Sequence, residues 1–383
     1  MPAALPAPEV YVVGGGVVGL GVAWRLGQRG VRVAVLDRGE AGRGASWAAA
    51  GMLAPVAELG FEELDLYALS RESLRRWPTF ARDLETATGV SVDYRTDGTL
   101  VVAPDRDDAA ALRRSFRFQQ EHGADVRWLS RDAALDLEPF LSPRIAAAVH
   151  APGDHQVDNR RLVSALRVAV EHHEGIDLRE GMGVRAIVPD EAQPRVVLDD
   201  GTSRAARQVV LAAGAWSRSV DGLAPAEVPI RPVKGQMLSL RMDAPVAGPP
   251  FGLRHVVRAP HAYVVPKSDG RLVIGATSEE QSFDTRVTAG GLYRLLEGAW
   301  EACPGIEDLE VIETWAGLRP ASRDHAPLLG ALAPGVVVAT GHYRHGVLLT
   351  PVTADEIAAL VASRLADSER VSDVLAPFAP GRF

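Results

Sequence analysis

The chain has 383 residues and carries 41 Lys+Arg against 49 Asp+Glu, a formal net charge of −8, so nucleic acid is not an expected partner. At roughly 150 residues per domain the length suggests two or three domains around a buried core. The single cysteine, Cys303, excludes an internal disulfide and any cysteine-built metal site. Val10 to Trp24 is uncharged but shorter than the roughly 20 residues that span a bilayer, and Gly14, Gly15, Gly16, Gly19 and Gly21 interrupt it. No membrane segment is expected. The stretch Met1 to Pro8 has no Lys or Arg and no separate apolar region, so no secretory leader is expected and a cytoplasmic location is.

In chain order, Glu9 to Val13 is a β-branched and aromatic run that predicts a strand. It stops at Gly14-Gly-Gly-Val-Val-Gly19, and Leu20 to Arg29 reads as a helix. Gly14, Gly16 and Gly19 fit G-x-G-x-x-G, in which the missing Cβ atoms permit a tight turn, close approach to a pyrophosphate and close helix-on-strand packing. The helix N-terminus then presents free N–H groups to the anion. A second strand, Val31 to Leu36, ends at Asp37, about 20 residues after Gly16, where an acid receives the hydroxyls of an adenosine ribose. The unit predicts a dinucleotide site but leaves FAD and NAD both open.

Small residues follow, Gly42-Arg-Gly-Ala-Ser-Trp-Ala-Ala-Ala-Gly-Met-Leu-Ala-Pro55. Ala48, Ala49, Ala50 and Gly51 leave this stretch nearly bare of side chains, and Met52 after them is soft and apolar. Gly98 to Val102 predicts a strand, Arg106 to Gln120 a solvated helix, and Val209 to Ala213 a buried strand stopping at Gly214. Leu272 to Gly275 predicts another strand, Cys303 closes a helix as a buried, inert thiol, and Ala354 to Leu365 predicts a C-terminal helix.

The glycine unit, the 42–55 segment, Val209 to Ser217, Pro229 to Leu240, His261 to Thr277, Thr314 to Gly330 and Gly341 to Pro351 stand in an order that resembles the D-amino-acid-oxidase superfamily of flavoproteins and, within it, the glycine oxidases of thiazole biosynthesis. The resemblance runs from about residue 9 to about residue 360. It implies an α/β fold: a Rossmann-type FAD-binding domain with a second, mainly antiparallel β-sheet substrate domain. The implied FAD domain is 1–90, 150–225 and 310–383, and the substrate domain 91–149 and 226–309.

The resemblance also implies site residues. Non-covalent FAD is expected on Gly14, Gly16, Val17, Val18, Gly19, Asp37, Arg38, Ala45, Ser46, Ala49, Ala50, Gly51, Met52, Val184, Ala213, Gly214 and Trp216. The list continues through His342, Tyr343, Arg344, His345, Gly346, Val347 and Leu348. Arg319 is expected to take the substrate carboxylate, a role for which a rigid, permanently charged fork is suited. Tyr263 and His261, read as lying on one face of a strand, together with Arg344 and Met52, complete the expected catalytic set. His345 stands where glycine oxidases usually have Asn. It either leaves the backbone unchanged or brings a titratable group to the oxygen site.

The implied reaction is oxidative deamination of glycine, or of a small amine such as sarcosine, to an α-keto acid and ammonia, with O2 reduced to H2O2 and no side-chain base required. A sarcosine, dimethylglycine or D-amino-acid (D-proline) oxidase is the alternative, as is a dehydrogenase passing electrons to a partner. The sarcosine branch is mildly disfavoured because Leu272 and Val273 stand where sarcosine oxidases carry a lysine. A homo-oligomer, a homotetramer among relatives, and a downstream thiazole synthase are further expectations; no metal is expected.

Overall fold

The computed structural model describes residues 7–224, 226–242, 252–368 and 372–383. The stretch read as lacking a leader falls mostly outside these residues, as does position 225, where the first unit was expected to end. Two large sheets organise the chain. The first has six strands in the order Leu328–Ala333, Val336–Thr340, Gln208–Leu211, Val10–Val13, Val33–Leu36, Ile176–Arg179. All neighbours are parallel except the first pair. The central strands are apolar throughout because both faces are covered, as parallel sheets require. Helices Val17–Gly27, Leu64–Thr88, Asn159–Glu171 and Thr350–Leu365 share one core with it, centred on Leu20, Trp77, Leu166 and Ile357. The other face carries an antiparallel meander, Val184–Val188, Arg195–Leu198 and Ser203–Ala205.

The second sheet has eight strands in the order Val311–Ala321, Arg231–Arg241, Arg271–Gly275, Tyr263–Pro266, Val256–Arg258, Thr99–Ala103, Ala147–Ala151, Arg127–Leu129. It is antiparallel apart from the Val256–Arg258/Thr99–Ala103 pair. Helix Ala289–Ala302 closes one face through Leu295 and Ala299, and Cys303 is buried there, its thiol pushed up by burial.

Two boundaries differ from the sequence reading. The first helix begins at Val17 rather than Leu20, because the glycine turn ends directly in the helix. Strand Val311–Ala321, expected with the first unit, pairs along its length with Arg231–Arg241 and forms an edge of the eight-stranded sheet. Its register sets Gly317 opposite Gly235 and Trp315 opposite Met237. Met237 and Tyr263 in turn both face Gly275. One row of the pleat therefore runs Trp315, Met237, Gly275, Tyr263, with side chains on one face. No described helix is long and apolar enough to cross a membrane.

Candidate functional site

Between the two sheets lies a cavity of about 770 Å³, in the upper part of the range of small-molecule sites. One end is built almost wholly from backbone and small side chains. Gly14 has φ +108°, and a Cβ there would stand 2.4 Å from the Ala212 carbonyl oxygen. Gly19 packs its backbone onto Gly14. Asp37 closes the turn, its carboxylate accepting the N–H of Gly15 at 2.7 Å and of Gly39 at 2.9 Å. Ser46 Oγ accepts the Val17 N–H at 3.0 Å, tying the next loop to the helix start. A Cβ at Gly44 would stand 3.8 Å from the Trp216 ring and one at Gly214 would meet no protein atom within 4 Å, so the cleft is open beside both.

That loop, with its one-turn helix Ala45–Ala48, is pinned from several sides. Asn159 Nδ2 donates to the carbonyls of Ser46 and Trp47 at 3.0 and 2.9 Å. Trp315 Nε1 donates to the Ala48 carbonyl at 2.9 Å, and the Arg160 guanidinium lies 3.7 Å over the Trp47 ring. Lys267 Nζ, buried, donates to the carbonyls of Ala50 and Val157 at 2.7 Å each, and burial pulls it down to about 8. Gly51, at φ +79°, leaves no room for a Cβ, which would lie 2.1 Å from the Val157 oxygen.

Charged side chains make the other end. The half-buried Arg319 donates from Nη1 to the Thr277 carbonyl at 3.0 Å, and its guanidinium lies across Gly235, where a Cβ would approach it to 2.6 Å. Tyr263 crosses Gly275 in the same way, its hydroxyl 2.5 Å from where a Cβ would stand. Burial raises that phenol while Arg319 works against the shift. Glu58 joins them: its Oε1 receives Arg258 Nη1 at 2.8 Å. Burial opposes the charge of Glu58, but Arg258, His345, Arg344 and Arg319 together hold its carboxyl below the usual range.

The cavity thus brings together Arg319, Tyr263, His261, Arg344 and Met52, with most residues expected around the cofactor. Gly19, His345 and Leu348 do not line it. Gly19 serves packing instead. The Leu348 carbonyl accepts Ser73 Oγ and Trp77 Nε1 at 2.7 and 2.9 Å, which turns it into the helical layer. His345 is buried behind Glu58, 3.5 Å from its Oε2, without a hydrogen bond to either ring nitrogen. Burial and the nearby Arg344 and Arg258 outweigh Glu58 and bring His345 down to about 4. It is therefore neutral at physiological pH. His342 is equally buried, bonded to Thr353 Oγ1 at 3.0 Å and lowered to about 3 by burial and by His345.

His261 corrects another expectation. It occupies the turn between Val256–Arg258 and Tyr263–Pro266, exposed at the rim, rather than sharing a strand face with Tyr263. Arg344 points outward to Glu63, Nη2 to Oε2 at 2.7 Å, and to Glu58, Nε to Oε2 at 3.6 Å. Sequence reasoning missed Glu58, Arg258, Asn159 and Lys267. Each lies outside a recognisable motif or inside one as an unremarked neighbour, and each acts through a partner distant in the chain.

Comparison with known proteins gives four findings. Residues 9–360 match the family described as FAD dependent oxidoreductase, DAO. A glycine oxidase of Geobacillus kaustophilus is 35% identical over 97% of this chain and 96% of its own. Its crystal structure superposes with a TM-score of 0.88 over 99% of this chain and 100% of that one. A bifunctional ThiO/ThiG protein of Synechocystis is 37% identical over 98% of this chain, which spans 54% of that longer protein.

Proposed function

Because the chain belongs to the DAO family of FAD dependent oxidoreductases, we propose that it oxidises glycine: glycine, O2 and water give glyoxylate, ammonia and H2O2. The observation that carries the substrate is the half-buried Arg319 beside Tyr263, facing the small-residue loop Ala48–Met52 across the cavity. Sequence likeness to glycine oxidase over nearly the whole length supports it. The cofactor is FAD. The residues present fit it: backbone N–H groups at a helix start, an acid at Asp37, and glycines where side chains would fill the cleft.

When bound, FAD would supply the acceptor for the hydride, and with it the two electrons, that leaves the substrate Cα. The Gly14–Gly19 turn, Asp37 and Ser46 hold its nucleotide part, with Arg38, Val184, Ala213 and Trp216 flanking. The Ala49–Met52 loop and the 342–347 turn hold its ring end. Arg319 binds the substrate carboxylate through its fork, and Tyr263 limits where the amine and Cα can lie. Met52, Met237 and Ala48 keep that part of the cavity apolar. Of the titratable groups near Arg319 and Tyr263, Glu58 is engaged by Arg258 and His342 is bonded to Thr353, and the proposed reaction requires no side-chain base. The neutral amine is then the reactive form.

The six-stranded sheet with its helices is the proposed cofactor domain and the eight-stranded sheet the proposed substrate domain, with Val311–Ala321 hydrogen-bonded into the second. A cytoplasmic homo-oligomer, and delivery of the imine product to a thiazole synthase, complete the proposal; the ThiO/ThiG relative supports the last part.

Anaerobic addition of glycine, sarcosine, D-alanine or D-proline to the yellow protein, followed by air, tests it. Bleaching by glycine and recovery in air with stoichiometric H2O2 is expected. Bleaching only by the N-methylated or bulkier amines would overturn the substrate, and bleaching without recovery in air would overturn the oxidase.

A further inference from the structure

Glu58 stands on the cavity wall in the loop after the small-residue segment, and its carboxylate is 10% exposed. Arg258 meets Oε1 at 2.8 Å and Arg344 approaches Oε2 at 3.6 Å. Arg344 Nη2 also donates to the Glu58 carbonyl at 3.4 Å. Both arginines line the cavity and are about one-third exposed, Arg258 at 32% and Arg344 at 31%. The loop that presents Glu58 is fixed from below. Buried Asp154 accepts the N–H groups of Val56 and Ala57 at 3.0 and 2.9 Å, and Gln119 Nε2 donates to the Val56 carbonyl at 3.0 Å. This carboxylate is built into the pocket rather than carried on a loose segment.

Arg319 differs from the other two arginines. Its nearest partner is a neutral carbonyl, that of Thr277, and Gly235 opens the space for its fork. An arginine paired with a fixed carboxylate offers an incoming anion little net attraction, while one hydrogen-bonded to a carbonyl keeps its full charge. At the end of the cavity where Tyr263 lies, three guanidinium groups line the wall, those of Arg258, Arg319 and Arg344, and of these Arg319 alone has a carbonyl rather than a carboxylate as its hydrogen-bond partner.

We propose that Glu58 is an internal stand-in for a second substrate carboxylate. By engaging Arg258, while Arg344 is held mainly by Glu63 at 2.7 Å, it leaves Arg319 as the receptor for a single carboxylate, and makes the site select monocarboxylic amino acids over dicarboxylic ones. The selection works by repulsion as well as by occupancy, because a second carboxylate approaching Arg258 meets the negative charge of Glu58. The idea rests on reading the cavity as an amino-acid oxidase site.

The test uses the FAD-loaded protein and its E58Q variant, which keeps the side-chain shape and removes the charge. Calorimetric titration with acetate and malonate gives affinities without turnover, and steady-state rates compare glycine with N-(carboxymethyl)glycine. E58Q is expected to bind malonate at least tenfold more tightly, with acetate changed by less than threefold. The ratio of kcat/KM for the dicarboxylate over glycine should rise at least tenfold, and E58D should restore the original preference. If E58Q does not retain FAD, R258M replaces it: an under-neutralised Glu58 should then weaken malonate at least threefold relative to acetate. Unchanged relative affinities in a variant that holds FAD would overturn the proposal. Failure of glycine to bleach the unmodified protein would instead overturn glycine as the substrate, and the malonate and acetate affinities would still decide the role of Glu58.

Discussion

The two ends of the cavity recognise their ligands by different means. The nucleotide end is backbone: glycine turns, a helix start, and a loop whose carbonyls are tied down by Asn159, Trp315 and Lys267. The far end is side chain: Arg319, Tyr263, Arg258 and Glu58 come to it from separate segments, with Arg344 on its wall turned toward Glu63. A backbone site tolerates changes of side chain around it but not of shape beneath it. A side-chain site does the reverse, so one fold can keep its cofactor while its substrate changes.

The largest effect should come from R319M, which removes the carboxylate receptor and spares the backbone end. We expect kcat/KM for glycine to fall about 10³-fold, or about 4 kcal/mol, with FAD content unchanged by the ratio of visible to ultraviolet absorbance. Loss of FAD instead would break the division between the two ends. G51A probes the opposite end. Its Cβ would lie 2.1 Å from the Val157 oxygen at φ +79°, and strain with overpacking should cost about 3 kcal/mol, read as a lower urea midpoint together with lost FAD.

Asp154 sharpens the contrast through pH. Burial pushes its carboxyl up to about 7 in spite of the Ala57 and Val56 N–H groups, with Glu58 adding to the rise. The folded protein thus holds a proton that the unfolded chain gives up near 3.8. From this group, stability falls as pH rises from about 4 to about 7, at up to about 1.4 kcal/mol per unit. D154N should flatten that slope by one proton in unfolding measured across the range; an unaltered slope would remove Asp154 from the account. The smallest effect is W315F, which deletes the bond to the Ala48 carbonyl and should cost about 1 kcal/mol in denaturant unfolding while leaving glycine affinity within twofold.

What the sequence made legible follows the same division. Gly14, Gly16, Gly19 and Asp37 form a pattern read along one continuous strand–turn–helix–strand segment, and the structure builds that unit with the helix starting one turn early. Arg319, near the end of an eleven-residue strand, and Tyr263, at the start of a four-residue one, were marked by motifs. Glu58 and Arg258 were not, because their pairing joins positions 200 apart and nothing local distinguishes either from a surface charge. Lys267 sits within the His261 to Thr277 segment, where an exposed strand end is the ordinary reading and burial on two carbonyls has no local sign. His261 was misread because the alternation continues past the strand into its turn. Val311–Ala321 was misassigned since linear order gives no register: it leads directly into the six-stranded sheet but pairs with the other one.

The central strand Val10–Val13 has as neighbours Val33–Leu36 on one side and Gln208–Leu211 on the other, and the latter in turn borders Val336–Thr340. A ribosome adding about 5–20 residues per second needs roughly 10–40 s to travel from the first of these strands to the third. Through that interval the first glycine turn is already made, while its second flanking strand does not yet exist. The nascent chain must therefore spend much of its synthesis with an open apolar sheet edge, and it can close around a nucleotide only once nearly all of it has emerged.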